Sequence, residues 1–186
     1  MDHKPILIFL LTQSAEAETS CLSKLSSKIR VFSTGWVALA FFLLYILYIV
    51  LVIPYASADG KKYEASSGSP FLTFFYTTDD LYTFAKEIGE NGRSAFVLSR
   101  WTWDFVWPIV FTLHLTTAVA FLYGKLYDSD SNWQLVNLAP ITGMFLDWSE
   151  NLTGSIVVHR YPDRTPGIDF LTAVFTTLKW IFVGGS

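Results

Sequence analysis

No charged residue occurs between Ser33 and Tyr55, and this constrains the fold more than any other feature. Within it, Phe41 to Ile53 reads Phe-Phe-Leu-Leu-Tyr-Ile-Leu-Tyr-Ile-Val-Leu-Val-Ile, and Pro54 follows. About 20 mostly apolar residues make a helix long enough to cross a bilayer core, and a proline ends such a helix. Composition agrees: 52% of the 186 residues are hydrophobic and only 16% are charged, against about 25% charged in a soluble domain. The net charge of −3 gives no basic surface for nucleic acid. The single cysteine, Cys21, excludes an internal disulfide and a Cys-based zinc site.

Three further stretches are candidate spans, at about Leu98–Tyr123, Trp133–Val158 and the shorter Ile168–Val183. Trp101, Trp103 and Trp107 crowd the start of the second, and Tyr123 marks its end, as in an aromatic belt at a membrane–water interface. Pro140 lies inside the third as drawn. The expected class is therefore all-α. It is a four-helix transmembrane bundle over 33–186, preceded by a polar or interfacial segment over 1–32. Pro5 to Leu11 is a short apolar run that reads as an uncleaved helix at the interface. Lys24, Lys28 and Arg30 before the first span, with Lys125 after the second, favour both termini on the inside.

The loop over 56–97 is organised. Ala56 to Pro70 is rich in Ser, Gly and Lys and reads as linker. Thr78 suits an N-cap, Asp79 and Asp80 suit the positive end of a helix, and Gly89 suits its close. Leu81, Phe84, Ala85 and Ile88 share one face at helical spacing. This short extramembrane amphipathic helix either caps the bundle or lies on the membrane surface, and the scarcity of positive charge on its polar face favours the cap. Asn91-Gly92-Arg93 then leads into the second span.

Polar residues break the apolar pattern at a few points. In the third span Gly143, Asp147, Glu150, Asn151 and Gly154 recur at spacings of three and four and so share a face. The two glycines there invite close approach by another backbone. Met144, Phe145, Trp148, Leu152 and Ile156 form the opposite face. At about 1.5 Å per residue, Asp147 and Lys179 both lie roughly 16 Å deep, with Glu150 and Asp104 at roughly 12 and 9 Å. Intramembrane ionisable groups pair or face a cavity. A Lys179–Asp147 ion pair follows, with Asp104 beside Glu150. Pro108 removes the helical partner of the Asp104 carbonyl and leaves a free acceptor beside that carboxyl. Thr172 and Thr176 share the Lys179 face, where their hydroxyls can bond to a partner helix or a ligand. His114 points about 80° away from Asp104 and sits at the edge of the same candidate site.

The candidate ligand-binding set is therefore Asp104, Asp147, Glu150, Asn151, Lys179 and His114. Its plain alternative is helix-to-helix glue. Interhelical hydrogen bonds average well under about 2 kcal/mol, whereas each central charge costs at least about 2.5 kcal/mol on insertion scales. Two acids, an amide and a lysine at one level exceed what glue requires. The lysine also argues against a metal site built on these carboxylates and His114. Asn151-Leu-Thr153 matches a glycosylation pattern but falls within a span.

Tyr76-Thr-Thr-Asp-Asp-Leu-Tyr82, Gly89-Glu-Asn-Gly-Arg93, Asp104-Phe-Val-Trp-Pro108, Asp147-Trp-Ser-Glu-Asn151, Arg160-Tyr-Pro162 and Phe175-Thr-Thr-Leu-Lys-Trp180 carry a resemblance. Together they resemble a group of small, multi-spanning, mostly bacterial membrane proteins of uncharacterised function. The resemblance implies four spans, an extramembrane helix between the first two, and a bacterial inner membrane, a eukaryotic organelle membrane being the other location. It implies no activity. Three functions are compatible with the residues. A non-enzymatic membrane protein would bind a small polar group or lipid headgroup, with Lys179 on an anion. An intramembrane enzyme would act on a lipid or isoprenoid through Asp104 or Glu150 as general acid or base. An accessory subunit would present the polar stripe to a membrane-protein partner. Nucleotide loops, hydrolase elbows and zinc motifs are absent from the sequence.

Overall fold

The computed structural model describes residues 21–54 and 61–186, so the expected Pro5–Leu11 helix and the start of the 56–70 linker lie outside the described residues. Every regular element among the described residues is helical. Helix α1, Cys21–Phe32, meets α2, Gly35–Leu51, at a bend of 88°. Two turns of 3₁₀ helix, Lys61–Tyr63 and Pro70–Leu72, precede α3, Thr78–Glu87, and α4, Gly89–Arg100. Then come α5, Trp103–Leu126, a 3₁₀ segment Asn132–Leu138, α6, Ala139–Arg160, and α7, Ile168–Gly184. Helices α4 and α5 run on as one 38-residue stretch, Gly89–Leu126. It is the one described helix long and apolar enough to cross a membrane, and the bent α1–α2 pair passes the same test taken together.

Local chemistry sets the boundaries. Thr77, one residue earlier than expected, caps α3. Its hydroxyl accepts from the Asp80 amide, while the Asp80 carboxylate accepts from the Thr77 amide at 2.8 Å. This reciprocal pair satisfies two otherwise unpaired donors. It also holds the Asp80 carboxyl below its ordinary range, chiefly through the Thr77 backbone N–H. Gly89 has φ +67, a left-handed conformation that costs glycine little. It ends α3 and lets the chain restart at once as α4. The Asn91-Gly92-Arg93 segment, expected as a loop, is thus helical. Pro140 stands in the first turn of α6 rather than inside a span, where its missing N–H is not needed. The apolar pattern cannot tell the 3₁₀ segment at 132–138 from the α-helix that follows it, so the helix begins at Ala139 rather than at the expected Trp133.

Helix α6 packs most extensively on α7, and α5 lies between α2 and α6. The Tyr48 hydroxyl ties α2 to α5 by donating to the Trp103 carbonyl at 2.6 Å. At the opposite end, Gln134 Nε2 donates to the carbonyls of Tyr123, Tyr127 and Asp128, closing the end of α5. The apolar face of α3 is buried: Leu81, Phe84, Ala85 and Ile88 cluster with Phe71, Val157 and Val158. The amphipathic helix therefore sits on α6 and α7 as a cap. Tyr82 fastens it, its hydroxyl donating to Asp169 Oδ2 at 3.1 Å and accepting from the Thr165 amide at 2.7 Å.

Candidate functional site

Helical periodicity places Asp147, Glu150 and Asn151 on the buried face of α6, and Glu150 is wholly inaccessible. Lys179 reaches across from α7. Its Nζ lies 2.9 Å from Asp147 Oδ1 and 2.7 Å from Glu150 Oε2. The expected Lys179–Asp147 pair is present, and Glu150 shares the same ammonium.

Asp104 does not face Glu150 directly. Arg100, at the end of α4, stands between them. Its Nη1 bonds to the Asp104 carboxylate, donates to Asn151 Oδ1 at 3.0 Å and lies 3.9 Å from Glu150 Oε1. The guanidinium lies over two rings that pack on each other, with its carbon 4.4 Å from the Phe71 centroid and 4.7 Å from that of Phe96. Sequence reasoning missed Arg100 because it fell among the aromatic belt residues. The signal was its position four residues before Asp104, the spacing of a helical ion pair.

The acceptor freed by Pro108 is used. Asn151 Nδ2 donates to the Asp104 backbone carbonyl at 3.4 Å, and Trp148 Nε1 donates to the next carbonyl, Phe105, at 3.1 Å. Trp148 stacks on Phe105 with centroids 5.0 Å apart. It therefore joins α6 to α5, so the side opposite the carboxylates meets a packing partner.

The two glycines of the polar face do permit close approach, but by side chains. A Cβ on Gly143 would come 2.8 Å from Val183 Cγ2, and one on Gly154 would come 2.9 Å from Phe71 Cε1. Gly154 thus admits the ring on which Arg100 rests. Thr172 and Thr176 are fully buried. Thr176 Oγ1 lies 3.0 Å from the hydroxyl of Tyr76, a second residue to which sequence reasoning assigned no role. Burial holds the Tyr76 phenol above its ordinary range, so it stays a neutral hydrogen-bonding group. His114 turns toward α2, where it stacks on Tyr45 at 4.9 Å and contacts Phe42 at 5.2 Å. It does not join the carboxylates. No described group of three or more His, Cys, Asp or Glu residues could hold a metal ion.

A cavity of about 130 Å³ adjoins the centre, lined by Trp107, Phe111, Met144, Asp147, Lys179 and Trp180 among others. A water occupies about 30 Å³ of liquid, so the space suits a few waters or a small polar group. The walls are mainly aromatic, and the ionisable side chains at its edge are Asp147 and Lys179. No family model matches the chain, and neither does any curated protein or solved structure.

Proposed function

We propose that this chain is a multi-pass integral membrane protein whose buried polar centre binds a small polar group or a lipid headgroup. The four spans would be α2, the apolar part of α4–α5, α6 and α7, in a bundle with both termini inside. A bacterial inner membrane is the location implied by the resemblance. The observation that carries the reading is the inversion of polarity across the helices. Asp147, Glu150, Asn151, Thr172, Thr176 and Lys179 are buried where α6 packs on α7, whereas the outward residues of α2, including Trp36, Leu43, Leu47, Val50 and Leu51, are exposed and apolar. Such a surface needs an apolar surrounding. Asp147, Glu150 and Lys179 need not meet lipid, because they are ion-paired to one another within the protein.

The ligand-binding part rests on the cavity beside Asp147 and Lys179. Packing glue has no need of an adjoining space, and buried groups that only hold helices together are usually enclosed. Carbonate extraction of membranes from expressing cells tests the membrane assignment, with the chain expected in the pellet. Native mass spectrometry of the full chain, released from nanodiscs, tests the site. A small ligand or lipid retained by the wild type and lost in Met144→Trp, which narrows the cavity without removing a charge, supports binding. Identical spectra for the two would refute it.

A further inference from the structure

No residue between Glu64 and Asp79 is charged, and Phe71-Leu-Thr-Phe-Phe-Tyr76 is the apolar part of that stretch. Its two ends point inward. The Phe71 ring lies against Gly154, and the Tyr76 hydroxyl is 3.0 Å from Thr176 Oγ1. Between them, Leu72, Phe74 and Phe75 are 78%, 58% and 69% exposed. They are held in that position by a braced backbone. The Thr73 amide closes the Pro70–Leu72 turn by donating to the Pro70 carbonyl at 3.0 Å. Thr73 Oγ1 lies 2.7 Å from the same carbonyl and 3.2 Å from that of Phe75. From α7, Thr177 Oγ1 reaches the Phe74 carbonyl at 3.2 Å. Three large apolar side chains are thus presented outward together, and a contiguous apolar patch of this kind marks an interaction site.

The level of the segment identifies the partner. Phe71 carries the Arg100 guanidinium, and the exposed Trp101 and Trp103 come next in the chain. Those tryptophans are where the sequence places the membrane–water interface. On the other side, Phe74 meets α7 at Thr177, and beyond that point α7 exposes Leu178, Ile181 and Phe182. The outward patch is therefore continuous with the apolar outer surface of α7.

We infer that the 70–76 segment is a membrane anchor, seating Leu72, Phe74 and Phe75 among the acyl chains at the boundary of one leaflet, beside α7. The apolar face of an interfacial element sinks about 5–10 Å into the headgroup and acyl boundary. That depth also suits an irregular backbone, which the waterless core of a bilayer does not tolerate when it faces lipid. The cap helix α3 then rises from the membrane surface with its polar face in water. Because the stretch from Glu64 to Asp79 has no cation of its own, the attachment is to acyl chains and not to anionic headgroups. The anchor presupposes the proposed membrane assignment but not the ligand.

Spin labels read the contact in the full chain, reconstituted in phosphatidylcholine vesicles. On a Cys21→Ser background, Leu72→Cys, Phe74→Cys and Phe75→Cys each carry one nitroxide. Leu47→Cys on α2 and Lys86→Cys on the polar face of α3 are the references. The three anchor positions are exposed, so the substitutions remove little packing. Oxygen concentrates among acyl chains, and its collisions with labels at 72, 74 and 75 should exceed those of a water-soluble nickel chelate several-fold. The label at 86 should show the reverse. Replacing part of the phosphatidylcholine by phosphatidylglycerol should change neither result. Nickel dominance at 72, 74 and 75 with oxygen dominance at 47 would overturn the anchor and leave the membrane assignment standing. Nickel dominance at 47 as well would overturn both. Shielding of the three positions from both reagents would overturn the anchor by placing a second copy or a partner protein on the patch. Lipid contact that needs phosphatidylglycerol would overturn it too, by showing that headgroup charge makes the attachment.

Discussion

Lys179→Met and Glu150→Gln should differ sharply in stability although they remove the two ends of one ion pair. Lys179 lies within 3 Å of both carboxylates. Methionine of similar length leaves Asp147 and Glu150 facing each other, with Glu150 fully buried. Removing one partner of a buried pair costs about 3–5 kcal/mol. Glu150→Gln instead puts a neutral amide of nearly the same shape beside Lys179, which keeps Asp147 at 2.9 Å. The loss should be nearer that of one hydrogen bond, about 0.5–1.5 kcal/mol. The double variant should cost less than the sum, since the second change removes a charge that the first left unpaired. Unfolding from mild detergent into sodium dodecyl sulfate, followed by circular dichroism, gives all three values. Equal losses for the two single variants would refute this pairing, and so would strict additivity in the double.

Three further outcomes follow from particular contacts. Arg100→Lys keeps the charge but loses the planar group over Phe71 and Phe96 and the Nη1 that bonds both Asp104 and Asn151, so stability should fall by about 1–3 kcal/mol in the same assay. Gly154→Val should cost about 1–3 kcal/mol by overpacking against the Phe71 ring, and Phe71→Leu in the same chain should recover part of that loss. Thr77→Ala should weaken α3 by about 0.5–2 kcal/mol, seen as faster amide exchange over Thr78–Glu87. The Asp80 half of that cap depends on pH. Its folded carboxyl is held below the unfolded value, so its contribution is present above the ordinary carboxylate range and disappears as pH falls through the folded value. Exchange in α3 should therefore speed up on acidification, and Asp80→Asn should flatten that dependence.

Periodicity alone determined the helical class, the shared face of Asp147, Glu150 and Asn151, and the depth match that pairs Lys179 with Asp147. These follow from the fixed rise and rotation of a helix, which sequence spacing encodes directly. The amphipathic spacing of Leu81, Phe84, Ala85 and Ile88 likewise identified α3, and the chain's own capping chemistry moved its start by a single residue. Pro108 forecast the free carbonyl of Asp104, because a missing N–H is a local fact. Which donor would fill it was not local. Asn151 does so from α6, 47 residues away.

The tertiary structure decided how the helices are rotated and which residues from distant segments meet. Rotation sent His114 to Tyr45 on α2 and brought Trp148 inward against Phe105, choices that spacing within one helix cannot make. The 70–76 segment delivers Phe71 to the gap left by Gly154 and Tyr76 to Thr176, which no periodic pattern announces. Most consequential is Arg100. Its place four residues before Asp104 was written in the chain. Only the packing of α4 on α6 carried its guanidinium to Asn151 and Glu150 and joined the Lys179–Asp147 pair and Asp104 into one centre.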